Sequence, residues 1–251
     1  MRTLSPAVIG LLAVNGAVFL LTALVPSWNM RMIEAFAVWF PRNEHAAVWQ
    51  VVTYMFLHGG LTHVLFNMFG LASFGPLLER QWGTGRFLFF YFLCGIGAAL
   101  THLGVTEIEF QSAQTRLSEL GLTAPAIDTM LNTGRYEGPR SDPTLRAAVI
   151  DLYRLYATPM IGASGAIYGI LVAFGVLYPN ARLSLFLIPV PVAAKFVIPA
   201  ILLLDLFSGL TGFSLFGGGI AHFAHIGGAL IGFLLMLLWR KRTPPDFEPS
   251  I

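Results

Sequence analysis

Ile161-Gly162-Ala163-Ser164-Gly165-Ala166-Ile167-Tyr168-Gly169 opens an apolar run that continues to Tyr178, and its length decides how the chain is read. The run approaches the roughly 20 residues that a helix needs to cross a hydrocarbon core about 30 Å thick. Five more such runs occur, at about residues 7–25, 61–78, 86–103, 195–211 and 220–239. Charged residues make up 11% of the 251-residue chain and mean hydropathy is +0.71. Soluble domains carry roughly 25% charged residues. Only helices and closed barrels satisfy their backbone in lipid, and the turn-punctuated alternation of a barrel is missing. The expected fold is an all-α polytopic membrane protein. It is one domain over residues 1–251, with six transmembrane helices and a short cytoplasmic tail at 240–251.

The first run exceeds the apolar core of a signal peptide, and Leu24-Val25-Pro26-Ser27 offers no small-x-small cleavage site, so it is expected to stay. The single cysteine, Cys94, excludes an intrachain disulfide and a thiolate metal cluster. A net charge of +2 gives no footprint for nucleic acid. Its distribution sets topology. Arg240-Lys241-Arg242 follows the last span, which the positive-inside rule places in the cytoplasm. Six spans then put both termini on that side of a cell (cytoplasmic or inner) membrane.

Two segments between spans carry structure of their own. Residues 26–60 mix Trp28, Phe36, Trp39, Phe40 and Trp49 with Arg31, Glu34, Arg42 and Glu44, a composition suited to the membrane interface. Residues 104–158 are too long for a structureless loop and read as an extracytoplasmic helical insertion between spans three and four. Residues 109–120 stop at Gly121, and residues 125–132 stop at Gly134. A third helix starts with Asp142 as N-cap and Pro143 at its first position. Leu145, Val149, Leu152 and Tyr156 share one face of it. The loop from Pro179 to Pro191, with Leu183, Leu185, Phe186 and Leu187, is expected to lie along the opposite membrane face.

In this topology spans two, four and six run in one direction, and each carries polar groups near its start: His63 and Asn67, Ser164, and His222 with His225. Polar side chains at membrane depth are costly and read as functional. His63 and Asn67 share a helix face, as do Ser164 and Tyr168. Gly162 and Gly165 clear space for a peptide beside Ser164. Gly169 and Gly175 on one span, with Gly227, Gly228 and Gly232 on another, allow close helix packing. That packing brings the Ser164 hydroxyl to the His225 imidazole. A serine needs such a base, and a positioned histidine supplies roughly 10²–10⁴-fold in proton transfer. His63, the Asn67 amide and the Ser164 N–H are candidate donors to the tetrahedral oxyanion.

Asp205 is the one membrane carboxylate that could orient His225. It is read as structural, leaving a Ser–His dyad. His222, three residues before His225, is the alternative base and otherwise polar lining. His45 and His102 are read as interfacial. A rival reading is a metal-ion permease using His58, His63, His222 and His225, since imidazoles suit zinc. A cation path would add carboxylates, and no internal repeat points to an inverted-repeat transporter. Metal-dependent intramembrane proteolysis is disfavoured because His-Glu-x-x-His is missing. No metal and no cofactor are expected.

The motifs His58-Gly59-Gly60-Leu61-Thr62-His63-Val64-Leu65-Phe66-Asn67, Gly162-Ala163-Ser164-Gly165 with Tyr168, and Ala224-His225 before Gly227-Gly228 resemble those of the rhomboid intramembrane serine proteases. Trp82-Gly83-Thr84-Gly85-Arg86 and Tyr178-Pro179-Asn180-Ala181-Arg182 resemble the family's connecting segments. The resemblance implies cleavage of single-pass membrane protein substrates within the lipid bilayer, near its outer boundary. It implies Ser164 as nucleophile, His225 as base, and His63, Asn67 and the Ser164 amide as oxyanion hole. Tyr168 would pack on the His225 ring, and His58 would serve structure or a water network. The chain departs from the family pattern twice. Trp49-Gln50 stands where the family has a Trp-Arg pair, and the insertion at 104–158 is extra.

Overall fold

The computed structural model describes residues 4–136, 142–185, 188–213 and 220–239. The expected tail at 240–251, with Arg240-Lys241-Arg242, and the loop positions Phe186 and Leu187 lie outside them.

Helix α1 (Pro6–Leu24) begins with Pro6 at its first position. No local side chain caps it. The cap comes from helix α4 (Leu61–Trp82): Glu79, near its C-terminal end, accepts hydrogen bonds from the amides of Ala7 (2.9 Å) and Val8 (3.1 Å) and from the Ser5 hydroxyl. A carboxylate on otherwise unpaired first-turn N–H groups satisfies both hydrogen bonding and the helix dipole. After α1 the chain forms α2 (Pro26–Phe36), a single turn α3 (Gln50–Thr53) and a 3₁₀ turn (Tyr54–Phe56), then enters α4.

Gly83, at φ 79°, turns α4 into helix α5 (Thr84–Glu119). Its 36 residues make it about 54 Å long at 1.5 Å per residue, well beyond one bilayer crossing. The expected break near residue 104 is not made. Gly104 has no neighbour within 4 Å that a side chain would meet, and the helix runs straight through it. Its far half carries Phe110 and Leu117 into a second core with Ile127 and Met130 of α6 (Ala124–Thr133), Leu145 and Leu152 of α7 (Pro143–Ala157), and Phe40. Asp142 caps α7, accepting from the Thr144 and Leu145 amides at 2.8 and 3.2 Å.

From α7 the chain makes an antiparallel bridge between Val38 and Met160, turns at Gly162 (φ 118°) and starts helix α8 (Ser164–Leu177). At 14 residues α8 is shorter than the other apolar helices. A β-hairpin follows, β1 (Arg182–Leu185) with β2 (Ile188–Ala193), pairing Arg182 with Ala193 and Leu183 with Val192. The segment expected to lie along the membrane face is thus a paired hairpin. Pro189 and Pro191 alternate along β2, which has a single partner strand and so leaves its other edge free of N–H demands. Helices α9 (Ala194–Thr211) and α10 (His222–Trp239) complete the bundle. Helices α1, α4, α5, α9 and α10 are long and apolar enough to cross a membrane, and α8 is a sixth, shorter apolar helix. The class is thus an all-α polytopic membrane protein, with the hairpin and the Val38–Met160 bridge its departures among the described residues.

The centre of the bundle is α10 against α5 and α8, in backbone contact at glycines. A Cβ on Gly228 would lie 1.9 Å from the Gly165 carbonyl oxygen, and one on Gly232 would lie 2.7 Å from the Gly169 Cα. In lipid, where apolar surface gains little from leaving the solvent, such close van der Waals packing carries helix association.

Candidate active site

Ser164 is the first residue of α8. It therefore combines a side-chain hydroxyl with the unpaired N–H groups of a helix start. Two contacts fix the approach to it: the Gly162 amide donates to the Tyr54 carbonyl (3.0 Å), and the Tyr54 hydroxyl donates to the Gly95 carbonyl (2.8 Å). Gly162 needs to be glycine for two reasons. Its φ lies in the left-handed region, and a Cβ there would sit 2.6 Å from His63 Nε2.

The tight α8–α10 contact sets the Ser164 hydroxyl 2.8 Å from His225 Nε2, with His225 buried and Ser164 half-buried. The Tyr168 ring, one turn along α8, stacks on the His225 imidazole at 4.1 Å between centroids and 13° between planes. Helix α9 adds a group that sequence reasoning set aside. Asp205 Oδ1 lies 3.2 Å from His225 Nδ1 and 2.5 Å from His222 Nδ1, while Oδ2 accepts from the Tyr168 hydroxyl. Asp205 is buried, and its carboxylate joins three side chains. The sequence alone reads it as structural beside a Ser–His pair; the structure sets its carboxylate against the Nδ1 of His225. Asp205 and His225 lie on different helices, α9 and α10, so no spacing along the chain reveals their contact. The available signal was the cost of a lone carboxylate in an apolar span.

His222 approaches Asp205 and not Ser164, and its ring meets that of His225 edge-on at 6.4 Å. Asp205, His222 and His225 form the one cluster of potential metal ligands among the described residues, with ligand atoms within 4.8 Å of one another.

His63 and Asn67 project from the first turns of α4 toward Gly162. His63 Nδ1 accepts from the Gly59 amide at 3.4 Å, which leaves Nε2 as the protonated nitrogen facing Gly162. One Asn67 N–H donates to the His63 carbonyl at 3.1 Å, and the other stays available. His58 packs its ring edge-on to His63 at 5.0 Å, and neither of its buried nitrogens has a hydrogen-bond partner among the described residues. Burial and the neighbouring His63 hold its pKa down at about 4. The four histidines of the permease reading thus form two separate pairs. Gly165 lies where a Cβ would meet Ala98 at 2.4 Å. His45 stacks obliquely on Trp39 at 5.0 Å.

Gln50 answers the question raised by the missing Trp-Arg pair. Its buried amide accepts from the Ala47 N–H (3.1 Å) and donates to the His45 carbonyl (2.7 Å), and the Trp49 indole donates to the Ala35 carbonyl (2.8 Å). A neutral group that both donates and accepts pins this segment, where a guanidinium could only donate.

The Rhomboid domain model matches residues 45–112 and 144–242. The middle of the helical insertion lies between the two matched stretches. Rhomboid protein 1, mitochondrial, of Saccharomyces cerevisiae is 25% identical over 227 residues, covering 90% of this chain and 51% of that protein. Presenilin-associated rhomboid-like protein A, mitochondrial, of Danio rerio is 25% identical over 240 residues, covering 92% and 50%. A short stretch is 46% identical over 48 residues to a putative rhomboid protease, YdcA, of Bacillus subtilis, covering 19% and 24%. The chain spans about half the length of the relatives that match it along most of its length. Those relatives are named mitochondrial, which overturns the expectation of a cell cytoplasmic membrane. The physical reason is that loop charge reports the sidedness of a helical bundle, not the membrane that holds it.

Proposed function

The chain belongs to the rhomboid family, and from that premise we propose that it is an intramembrane serine endopeptidase acting on transmembrane segments near the membrane face that carries the helical insertion. The observation that carries this reading is the 2.8 Å approach of the Ser164 hydroxyl to His225 Nε2 between two helices in backbone contact.

In the proposed reaction His225 Nε2 takes the Ser164 proton as Oγ attacks a backbone carbonyl carbon. Nδ1–H, directed at Asp205, keeps the ring in the tautomer whose Nε2 can accept, and the carboxylate stabilises the imidazolium. Tyr168 acts from the side, holding the ring plane by stacking and the carboxylate by its hydroxyl. The carbonyl oxygen gains charge toward the Ser164 N–H, His63 Nε2–H and the spare Asn67 N–H, each worth about 10²–10³ in rate for an oxyanion donor. Collapse of the intermediate passes the proton from His225 to the leaving amine, and water then hydrolyses the acyl-Ser164 ester by the same route. No metal or cofactor takes part.

The test is cleavage of a reporter transmembrane helix by purified protein in detergent or liposomes. Ser164→Ala and His225→Ala are expected to abolish cleavage while the protein stays folded, and a fluorophosphonate is expected to label Ser164. Retained cleavage by Ser164→Ala, or label on another residue, sinks the reading.

A further inference from the structure

Two helices converge on one oxygen. Asp205 Oδ1, from α9, faces His222 Nδ1 at 2.5 Å and His225 Nδ1 at 3.2 Å, both from α10. A carboxylate needs one such partner to orient the base, and His222 does not approach Ser164. The second histidine is therefore unexplained by peptide hydrolysis. Two imidazoles and one carboxylate are the protein ligand set of several open zinc sites, which keep a fourth position for water. Tetrahedral ligand atoms around zinc lie about 3.4 Å apart, given bonds of about 2.1 Å. The three atoms here lie within 4.8 Å of one another.

We infer that Asp205, His222 and His225 form an inhibitory site for a borderline divalent cation, zinc foremost. The inference rests on the proposed protease reading for its consequence but not for the binding itself. Binding changes a tautomer. Each ring ordinarily carries its proton on Nδ1, toward Asp205. A metal on Nδ1 needs that lone pair, so the proton moves to Nε2 of the same ring and no net proton leaves a neutral imidazole. His225 Nε2 then donates to Ser164 Oγ, 2.8 Å away, and can no longer accept its proton. The serine is left without a base. His222 is what turns an orienting carboxylate into a three-ligand site. It is only partly buried, which leaves a route for the ion.

Two measurements on the purified full chain separate the site from the protease reading. In the first, Co²⁺ is titrated into Ser164→Ala protein and its visible d–d absorption followed, with Zn²⁺ as competitor. An equimolar endpoint displaced by zinc is expected, and adding His222→Ala should weaken binding roughly tenfold or more. In the second, Zn²⁺ is titrated against reporter cleavage, each variant being normalised to its own metal-free rate. Inhibition reversed by a chelator is expected, with its midpoint shifted upward in His222→Ala by the same factor as the Co²⁺ affinity. Absence of a displaceable band, or a band unchanged by His222→Ala, overturns the metal site whether or not the chain cleaves anything. A normal band with no loss of cleavage overturns the inhibitory role. Failure of cleavage in every sample strikes the protease reading and leaves the Co²⁺ result to decide the site.

Discussion

At the scale of single residues, Asp205 carries the sharpest expectation. Asp205→Asn keeps the size of the side chain but can present an N–H where an acceptor is needed, so the His225 tautomer is no longer imposed. Reporter cleavage is expected to fall by roughly 10²–10⁴-fold, the range for a mispositioned general base, with the melting temperature nearly unchanged. Tyr168→Phe keeps the stacked ring and removes only the hydroxyl on Asp205. Its cost should be far smaller, and a loss equal to that of Asp205→Asn would mean that the phenol, not the carboxylate, sets the imidazole. His58 offers a different readout. Its pKa is held near 4 against an ordinary 6.5 by burial beside His63, so the unfolded chain binds the extra proton first. Stability is then intact above about pH 6.5 and declines as pH falls toward 4, because unfolding takes up a proton in that window. Melting temperature measured across this range should flatten in His58→Phe, and an unchanged slope would place the acid sensitivity elsewhere.

At the scale of elements, the features legible in sequence are those that one helix displays alone. Apolar length marks the spans, the four-residue interval of His63 and Asn67 marks a face, and Asp142-Pro143 marks the start of α7. What depends on a neighbour was hidden. The continuity of α5 through Gly104 depends on nothing pressing on that glycine. The capping of α1 uses Glu79, more than seventy positions away in the chain. Asp205 meets His225 only because α9 lies beside α8 and α10. The Glu79 cap is testable as an element property. Glu79→Ala leaves the Ala7 and Val8 amides and the Ser5 hydroxyl without their acceptor. It should cost about 1.5–3 kcal/mol, the range for hydrogen bonds to a charged group, as a lower melting temperature with the metal-free cleavage rate of the folded fraction retained. Gly228→Val should act more severely, since the added atoms would fall on the Gly165 carbonyl and separate the helices that carry Ser164 and His225. Loss of fluorophosphonate labelling is the measurement, and a fully labelled variant would show that the helix contact does not hold the nucleophile.

Across the whole molecule, the buried apolar residues fall into two separate groups, one inside the helical bundle and one beneath the insertion, with no buried member in common. Helix α5 joins them, with Phe90 and Ala98 in the first group and Phe110 and Leu117 in the second. The Val38–Met160 bridge ties the first group together, and the second is edged by the Asn43 amide donating to the Tyr156 carbonyl at 3.0 Å and by the Arg42–Glu107 ion pair. The last is exposed and contributes little. Phe40 is the hinge of this arrangement, since it stacks on Phe110 at 4.6 Å yet belongs to the chain just after Val38. Phe110→Ala removes the largest apolar contribution of α5 to the second core and should destabilise it by about 3–5 kcal/mol. If the two cores are energetically independent, limited proteolysis will open the insertion in this variant while Ser164 still takes the fluorophosphonate label at the original rate. If labelling slows in step with proteolysis, α7 and the Val38–Met160 bridge transmit the state of the insertion to the turn at Gly162, and the insertion governs access to Ser164.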